Sequence, residues 1–239
     1  MLTTVPRDIA EVGTTARLRS CVVRERVVAA RRDLISGERP ETLHLLISGT
    51  AARYRVLGNG SRQITALILP GELCDLEDHV RGGSASAIAT ITACAVGEIP
   101  RAALFEGGVF KRDWADLAFE TLGREAAVAT EWIVSLGRRS AFEAMAHLFC
   151  EIGERMQTAG LSEGTRFPFG LTQVDLADVL GLTSVHVNRT LRDLRAAGLV
   201  QVRGKCVTIL DPAGLRAAAD FDPGYLHCQT IATTQLSRG

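Results

Sequence analysis

The most chemically specific part of the sequence is a cluster of basic side chains between Thr183 and Leu210. Its charged residues are Arg189, Arg192, Arg195, Arg203 and Lys205, against the single acid Asp193. This local positive excess occurs in a chain that is neutral overall, with 27 basic and 27 acidic residues. Clustered basic side chains make the ionic contacts with phosphate that nucleic-acid binding requires. Considered by itself, however, the cluster also fits a solvated helix face.

The sequence around this cluster has the pattern of two short helices joined by a sharp turn. Thr172, with Asp175 three residues later, resembles a capping box at the start of the first helix. Gly181 tolerates the left-handed conformation of a sharp turn, and Thr183 can cap a second helix over residues 184–197. The pattern therefore predicts two helices that cross closely.

The spacing around Gly181 is more specific than the composition. Ala177 lies four residues before the glycine, where crossing helices leave little room, and Val187 lies six residues after it as an inward anchor. Residues 200–210 alternate in polarity around a Gly-Lys pair and predict a small β-hairpin. Together these features predict a helix-turn-helix followed by a wing, and they favour DNA binding as the role of the basic cluster.

The first hundred residues have the pattern of short strands. Residues 43–47, 52–56, 64–69 and 87–99 are apolar, alternating or β-branched, and glycine-containing turns follow several of them. Residues 75–78 carry three acids and are interpreted as an exposed acidic turn. Short strands separated by glycine turns predict a sandwich or barrel rather than a parallel sheet with crossover helices.

Residues 111–137 have the spacing of one long helix with an apolar seam. The predicted seam consists of Ala118, Leu122, Ala126, Ala129, Ile133 and Leu136, preceded by Ala115. Small side chains in this seam would let a partner helix approach closely, which predicts a dimer interface. The alternative is that the seam packs on the strand domain of its own chain. Residues 137–140 predict a hinge, residues 140–158 a second amphipathic helix, and residues 161–170 a loop.

These features resemble the Crp/Fnr family of bacterial transcription regulators over nearly the whole chain. The resemblance implies an α+β protein with a β jelly-roll sensor domain of the cyclic-nucleotide-binding type at residues 1–110. It further implies a dimerisation helix at residues 111–137 and a winged helix-turn-helix DNA-binding domain at residues 138–239. We therefore expect a cytoplasmic homodimer that binds palindromic double-stranded DNA, with RNA polymerase as a further partner.

The resemblance also indicates which residues contact DNA. In this family the recognition helix begins with a Thr-Arg-Glu pattern and carries a second arginine; here Arg189 matches that second arginine, and Ser184 and Val185 replace the Arg and Glu. We expect Arg189 to read guanine and Asn188 to read adenine. The full predicted set is Thr172, Thr183, Ser184, Val185, His186, Asn188, Arg189, Arg192, Arg203 and Lys205.

The sensor domain departs from the pattern of the cyclic-nucleotide-binding members. Alignment on residues 92–99 puts Ser84 and Ala85 where those members carry an Arg-Ser or Arg-Thr pair for the cyclic phosphate. Arg81 lies three residues upstream, in a predicted loop flanked by glycine. A buried phosphate without a charge-assisted partner would be held poorly, so the sequence argues against a cyclic nucleotide.

No cofactor is assigned from the sequence; two kinds of sensing stay open, and so does a sensor domain that binds no ligand at all. Haem would need a ligand such as His44, His79 or Cys74, and thiol redox sensing would use Cys206, which lies beside a lysine. Cys21 stands alone near the N-terminus, which argues against an iron–sulfur cluster. His186 has no second ligand at helical spacing, so no metal site is predicted.

The alternatives to a regulator are a ligand-binding or adaptor protein and an enzyme. A ligand-binding or adaptor protein could use the C-terminal domain for protein contacts alone, but Arg189 and the basic wing argue against it. No nucleophile elbow, P-loop, dinucleotide fingerprint or HExxH motif occurs, so we do not expect an enzyme.

No apolar run is long enough to span a bilayer and the first residues lack a secretory signal, which favours the cytoplasm.

Overall fold

The strand-rich region forms two antiparallel sheets. The computed structural model describes residues 11–35, 41–82 and 87–226. The region contains helix α1 (Glu11–Ser20) and strands β1 (Arg24–Val28), β2 (Asp33–Ile35), β3 (Thr42–Ser48), β4 (Ala51–Val56), β5 (Arg62–Ile68), β6 (Ala87–Thr90) and β7 (Cys94–Pro100). One sheet has the order β1-β7-β3 and the other β2-β6-β4-β5. Apolar residues from both sheets share one core, as in a β sandwich.

The predicted stretch 87–99 is divided between the two sheets. β6 pairs with β4 in one sheet, and after a corner at residues 91–93 β7 pairs with β3 in the other. Ile88 and Val96 therefore point into the same core from opposite sides. The apolar run is nearly continuous because both strands are central in their sheets.

The interpretation of residues 75–78 as an exposed acidic turn is wrong. These residues belong to the start of α2 (Leu76–Arg81), and Asp75 and Asp78 are buried. The Asp75 carboxylate accepts hydrogen bonds from the backbone N–H of His44 at 2.9 Å and contacts the imidazole Nδ1 of His44 at 2.8 Å. Arg81 ends this helix and pairs with Glu77 at 2.8 Å, so it does not lie in a loop.

A long helix connects the strand-rich region to the C-terminal part. After α3 (Arg101–Leu104) and the hairpin β8 (Phe105–Glu106) and β9 (Val109–Phe110), α4 covers Arg112–Gly137. Trp114 and Leu117 near the start of α4 pack in the core of the strand-rich region. Ser140, at the end of the predicted hinge, then caps α5 (Ala141–Thr158) through a reciprocal capping box with Glu143.

The C-terminal part is a helical unit with a three-stranded sheet. It contains β10 (Arg166–Pro168), α6 (Gln173–Leu180), α7 (Ser184–Ala196), β11 (Val200–Arg203), β12 (Cys206–Ile209), α8 (Pro212–Ala219) and a final 3-10 turn (Pro223–Leu226). The predicted loop 161–170 thus includes a strand, because β10 pairs with the wing strand β12. Among the described residues, no helix combines the length and the apolar character that a bilayer span needs.

The order of elements confirms the predicted fold class. A strand-rich domain is followed by a long helix and a helix-turn-helix with a β-hairpin. A single apolar core runs from β4 and β5 through α5 to α6 and α7. The strand-rich region and the helix-turn-helix are therefore packed directly against each other.

Candidate nucleic-acid interface

Local hydrogen bonds fix the start of both helices of the predicted helix-turn-helix. The hydroxyl oxygen of Thr172 accepts from the backbone N–H of Asp175 at 3.2 Å, and the Asp175 carboxylate accepts from the backbone N–H of Thr172 at 2.7 Å. Thr183 caps α7 by accepting from the backbone N–H of His186 at 3.2 Å. Gly181 between the helices has a φ of +64°, in the left-handed region. All three features agree with the sequence-based prediction.

The inward face of α7 anchors the helix on the C-terminal core. Val187 and Leu194 are fully buried, and Leu191 is nearly so. They pack in the same cluster as Ala177 of α6 and Leu215 of α8. A helix held by three inward residues presents its other side chains to solvent in a fixed orientation.

The outward face of α7 brings together six of the predicted DNA-contacting residues. Its members are Ser184, Val185, His186, Asn188, Arg189 and Arg192, and all are exposed. Val185 is 81% exposed, which is unusual for a branched apolar side chain and suits contact with a thymine methyl group. Arginine offers the paired donors that match guanine, and asparagine offers the donor and acceptor that match adenine. The surface can therefore read base edges in a major groove.

Sequence reasoning missed Gln173 as a neighbour of this surface. Its side-chain oxygen lies 3.4 Å from the amide nitrogen of Asn188, and it is exposed at the first position of α6. The contact joins two residues 15 positions apart, on different helices. The only available signal was that Gln173 follows the N-cap residue Thr172.

The wing carries two further predicted contacts at its tip. Arg203 and Lys205 flank Gly204, and both side chains are exposed. Gly204 has a φ of +58°, which lets the hairpin turn tightly between β11 and β12. Cys206 is half-buried at the start of β12, where its sulfur accepts a hydrogen bond from Arg166 at 3.4 Å.

The long helix α4 leaves an apolar face exposed in the single chain. Ile133 is 69% exposed, and Leu136, Ala126 and Ala129 are also exposed. Phe119, which the sequence analysis did not include, is 77% exposed at the other end of this face. Of the predicted seam, Ala118 is buried in its own chain and Leu122 packs partly against the strand-rich core.

The strand-rich domain, α4 and Arg155 of α5 line a cavity of about 340 Å³. Charged side chains of both signs line it, namely Arg53, Arg124, Arg155, Glu72, Glu77 and Glu125. Arg53 lies 3.1 Å from Glu77, and Arg155 lies 2.8 Å from Glu72. Burial raises the pKa of Glu125. Ser84 and Ala85, which replace the phosphate-binding pair of the cyclic-nucleotide-binding members, lie outside the described residues.

The candidate haem ligands are engaged in the protein core. His44 and His79 both contact the Asp75 carboxylate, at 2.8 Å and 3.6 Å. Cys74 is buried, and burial raises the pKa of its thiol well above the ordinary value. Within the described ranges, no group of three or more His, Cys, Asp or Glu residues could hold a metal ion. These residues contribute to packing and hydrogen bonding in the structure as it stands.

Comparison with known proteins agrees with this arrangement. Residues 143–218 match the family model of a Crp-like helix-turn-helix domain, and residues 34–106 match that of a cyclic nucleotide-binding domain. The chain is 32% identical to the nitrogen fixation regulation protein FixK of Bradyrhizobium diazoefficiens over 176 residues, which cover 73% of this chain and 72% of that relative.

Two further matches extend the comparison. The transcriptional activatory protein AadR of Rhodopseudomonas palustris is 30% identical over 185 residues, or 75% of this chain and 74% of AadR. The solved structure of FixK2 from Bradyrhizobium japonicum superposes with a TM-score of 0.72 at 24% identity, covering 82% of this chain and 96% of FixK2. The structural match supports the same overall fold.

Proposed function

Because the chain belongs to the Crp/Fnr family of DNA-binding transcription regulators, we propose that it binds a palindromic DNA site as a homodimer. The recognition helix α7 of each protomer enters the major groove of one half-site. The exposed polar face of α7, fixed from beneath by Val187, Leu191 and Leu194, is the observation that carries this proposal. The functional division is a sensor domain at residues 1–110, a dimerisation helix at 111–137 and a DNA-binding domain at 138–239.

The proposed contacts fall into base-reading and phosphate-binding groups. Arg189 reads guanine and Asn188 reads adenine, while Ser184, Val185 and His186 contact neighbouring base edges or the backbone. Phosphates are held by Thr172, Thr183, Arg192, Arg203 and Lys205. Thr183 stands at the N-terminus of α7, where backbone N–H groups and the helix dipole favour an anion. Thr172 stands at the N-terminus of α6, where its backbone N–H already donates to Asp175. The wing residues reach the backbone beside the groove.

The homodimer forms through the exposed apolar face of α4. Helix α4 has 26 residues, and at 1.5 Å per residue it is about 39 Å long, enough for an extended helix–helix seam. Phe119, Ile133 and Leu136 supply apolar area, and Ala126 and Ala129 allow close approach. A two-fold dimer places two recognition helices about 34 Å apart, one turn of DNA.

The sensor cavity does not hold a cyclic nucleotide in the manner of the nucleotide-binding members. Both carboxylate oxygens of Glu72 accept hydrogen bonds from Arg155, at 3.0 Å and 2.8 Å, and one also accepts from the backbone N–H of Leu69. The cavity's three arginines are matched by three glutamates. An entering phosphate would therefore have to break existing ion pairs or be buried beside like charge.

Calorimetric titration with cyclic AMP and cyclic GMP tests the sensor proposal. We expect no saturable heat at concentrations up to about 1 mM, a limit corresponding to a binding free energy near −4 kcal/mol. Saturable binding of either nucleotide at micromolar concentration would overturn it.

RNA polymerase is proposed as a further partner and the cytoplasm as the site of action, because a regulator works at promoter DNA.

Selection of bound DNA from a random duplex library tests the main proposal. We expect the purified 239-residue chain to enrich a palindrome whose half-sites are about one helical turn apart, near 10 base pairs. The Arg189→Ala variant should not enrich the same palindrome. Enrichment of a non-palindromic motif would overturn the dimeric mode. No enrichment, with or without cell extract, would overturn sequence-specific binding.

A further inference from the structure

Four charged residues join the sensor domain to the first helix of the helix-turn-helix. Both guanidinium NH₂ groups of Arg31 contact the Asp175 carboxylate, with Nη2 at 2.7 Å from Oδ2. Arg62 donates from Nε to Asp178 at 2.6 Å and from Nη2 to Asp175 at 3.0 Å. We call these four residues the interdomain clamp. It connects the β1–β2 turn and β5 with α6.

The interdomain clamp is partly buried, which distinguishes it from a surface ion pair. The Asp175 side chain is 0% exposed, whereas Arg31 and Arg62 are 42% and 28% exposed. A buried carboxylate needs its cationic partners, because removal of a partner leaves a charge without solvent. Arg31 also adopts a φ of +62°, which is rare for a residue with a side chain. The chain holds an unfavourable backbone conformation at the residue that makes the bidentate contact.

Apolar contacts between the same elements reinforce the clamp. Ile64 and Leu67 of β5 lie in one core cluster with Val179 and Leu180 of α6. The Gln63 side chain donates to the backbone carbonyl of Val179 at 3.2 Å. Helix α6 is therefore fixed to β5 by packing as well as by charge.

The position of the clamp connects it to DNA recognition. Asp175 is also the residue that closes the capping box on Thr172, so the clamp holds the N-terminus of α6. The start of α4 is fixed to the same sensor domain through Trp114 and Leu117. Hence the clamp fixes the helix-turn-helix relative to the helix that would form the dimer. With the clamp in place, the outward face of α7 is exposed.

We propose that Arg31 and Arg62 are positioning residues that set the spacing of the two DNA half-sites by holding α6 against the sensor domain. This inference rests on the proposed dimeric DNA binding. In a two-fold dimer, the angle between each helix-turn-helix and the dimer helix determines the distance between the recognition helices. A rigid angle gives a sharp spacing preference, and a loose one allows several spacings with a lower affinity for the best site.

The test compares Arg62→Ala, Asp178→Ala and their double variant with the wild-type chain. Asp175 is left unchanged because it also caps α6. Arg62→Lys keeps the charge but loses the two-pronged geometry. Arg216→Ala is the matched control, because Arg216 makes a 2.8 Å ion pair with Glu154 inside the C-terminal domain. Affinities are measured for the selected palindrome and for versions with one base pair added to or removed from the spacer.

We expect the clamp variants to bind the best site about tenfold more weakly, within the usual range for coupling between two sites. Their preference for the best spacing over its neighbours should also fall, and the double variant should be no worse than Arg62→Ala. Arg62→Lys should lie between wild type and Arg62→Ala, and Arg216→Ala should match wild type. An unchanged spacing preference in Arg62→Ala overturns the proposal. Tighter binding overturns it as well, because the clamp would then restrain DNA binding.

Hydrogen exchange gives a readout that does not depend on DNA. Amides of Arg62–Ile68 and Gln173–Leu180 should exchange faster in Arg62→Ala than in Arg216→Ala. Unchanged exchange in both segments overturns the clamp whatever the DNA result. Arg189→Ala separates the two proposals, because it should bind the selected palindrome more weakly and lose its base preference there, while its exchange at these segments and its thermal unfolding stay as in wild type.

Discussion

His147 lies in α5, where α4, α5 and the C-terminal turn meet, and its burial predicts a pH-dependent stability. The side chain is 2% exposed, and its ring stacks on Tyr225 with centroids 5.9 Å apart. Nε2 lies 3.4 Å from a carboxylate oxygen of Glu131. Burial lowers the pKa of His147 from 6.5 to about 4; Arg139 adds to the shift, whereas Glu131 and Asp220 oppose it. The folded protein therefore keeps this imidazole neutral.

The sign and size of the effect follow from the two pKa values. Between pH 6.5 and about 4 the unfolded chain binds a proton at His147 and the folded chain does not. The stabilisation is present above pH 6.5 and is lost as the pH falls toward 4. With these values, His147 alone should lower the free energy of unfolding by about 2 kcal/mol between roughly pH 7 and pH 5.

Urea unfolding of wild type and His147→Gln measures this contribution. Glutamine is polar and of similar size but does not titrate, so other groups cancel in the difference between the two proteins. The advantage of wild type over the variant should shrink by about 2 kcal/mol from roughly pH 7 to pH 5. A difference that stays constant within about 0.5 kcal/mol over that range would refute the argument that a buried neutral imidazole supports this junction.

Three further substitutions test other parts of the structure. Ile133→Glu should dissociate the proposed homodimer in sedimentation velocity, yet change monomer unfolding by no more than about 0.5 kcal/mol because the side chain is exposed; a persistent dimer would contradict the proposed α4 interface. Gly181→Ala should lower the unfolding free energy by more than about 1 kcal/mol, because φ is +64° and the methyl group would meet Leu136. Gly58→Ala, with open space around it, is the control and should be near neutral in thermal unfolding. Asp175→Asn should remove the stabilisation that the ionised Asp175 carboxylate provides. Burial raises the pKa of this carboxyl, but the ion pair and hydrogen bonds to Arg31 and Thr172 outweigh burial and lower the pKa from 3.8 to about 2. The stabilisation is therefore present above pH 3.8 and is lost toward pH 2. That shift corresponds to about 2 kcal/mol in urea unfolding; equal stability of the two proteins at neutral pH would contradict it.

The helix-turn-helix could be predicted from the sequence because its signals are local. The hydrogen bonds that define its helix ends join residues only three or four positions apart, as for the capping residues Thr172 and Thr183 and the turn residue Gly181. The inward anchors repeat at helical spacing, so the outward face follows from the same periodicity. For this reason the boundaries of α6 and α7 differ little from the predicted ones.

The contacts between domains could not be predicted because they join distant residues. Arg31 and Asp175 are 144 positions apart, and each has a satisfactory local interpretation as a turn or a capping residue. Likewise, the loop around residue 167 becomes a strand only because β12 offers it a partner. Pairing of this kind depends on tertiary structure that local propensity does not contain.

The face of α4 shows how periodicity can be ambiguous. Ala118 and Phe119 both start a series at helical spacing, and the two series share most of their later members. Packing of the helix on the strand-rich core buries Ala118 and leaves Phe119 exposed. The sequence pattern alone cannot distinguish these two stripes, because the choice depends on which side of α4 faces the strand-rich region.

The base preference of wild type and Arg189→Ala tests the central claim most directly. Affinities are measured for duplexes that carry the selected palindrome with one base pair changed in both half-sites. We predict that Arg189→Ala loses discrimination at one guanine position per half-site, by about 1–3 kcal/mol, while Arg192→Ala weakens binding uniformly. If Arg189→Ala keeps the wild-type preference at every position, α7 does not read the DNA as proposed.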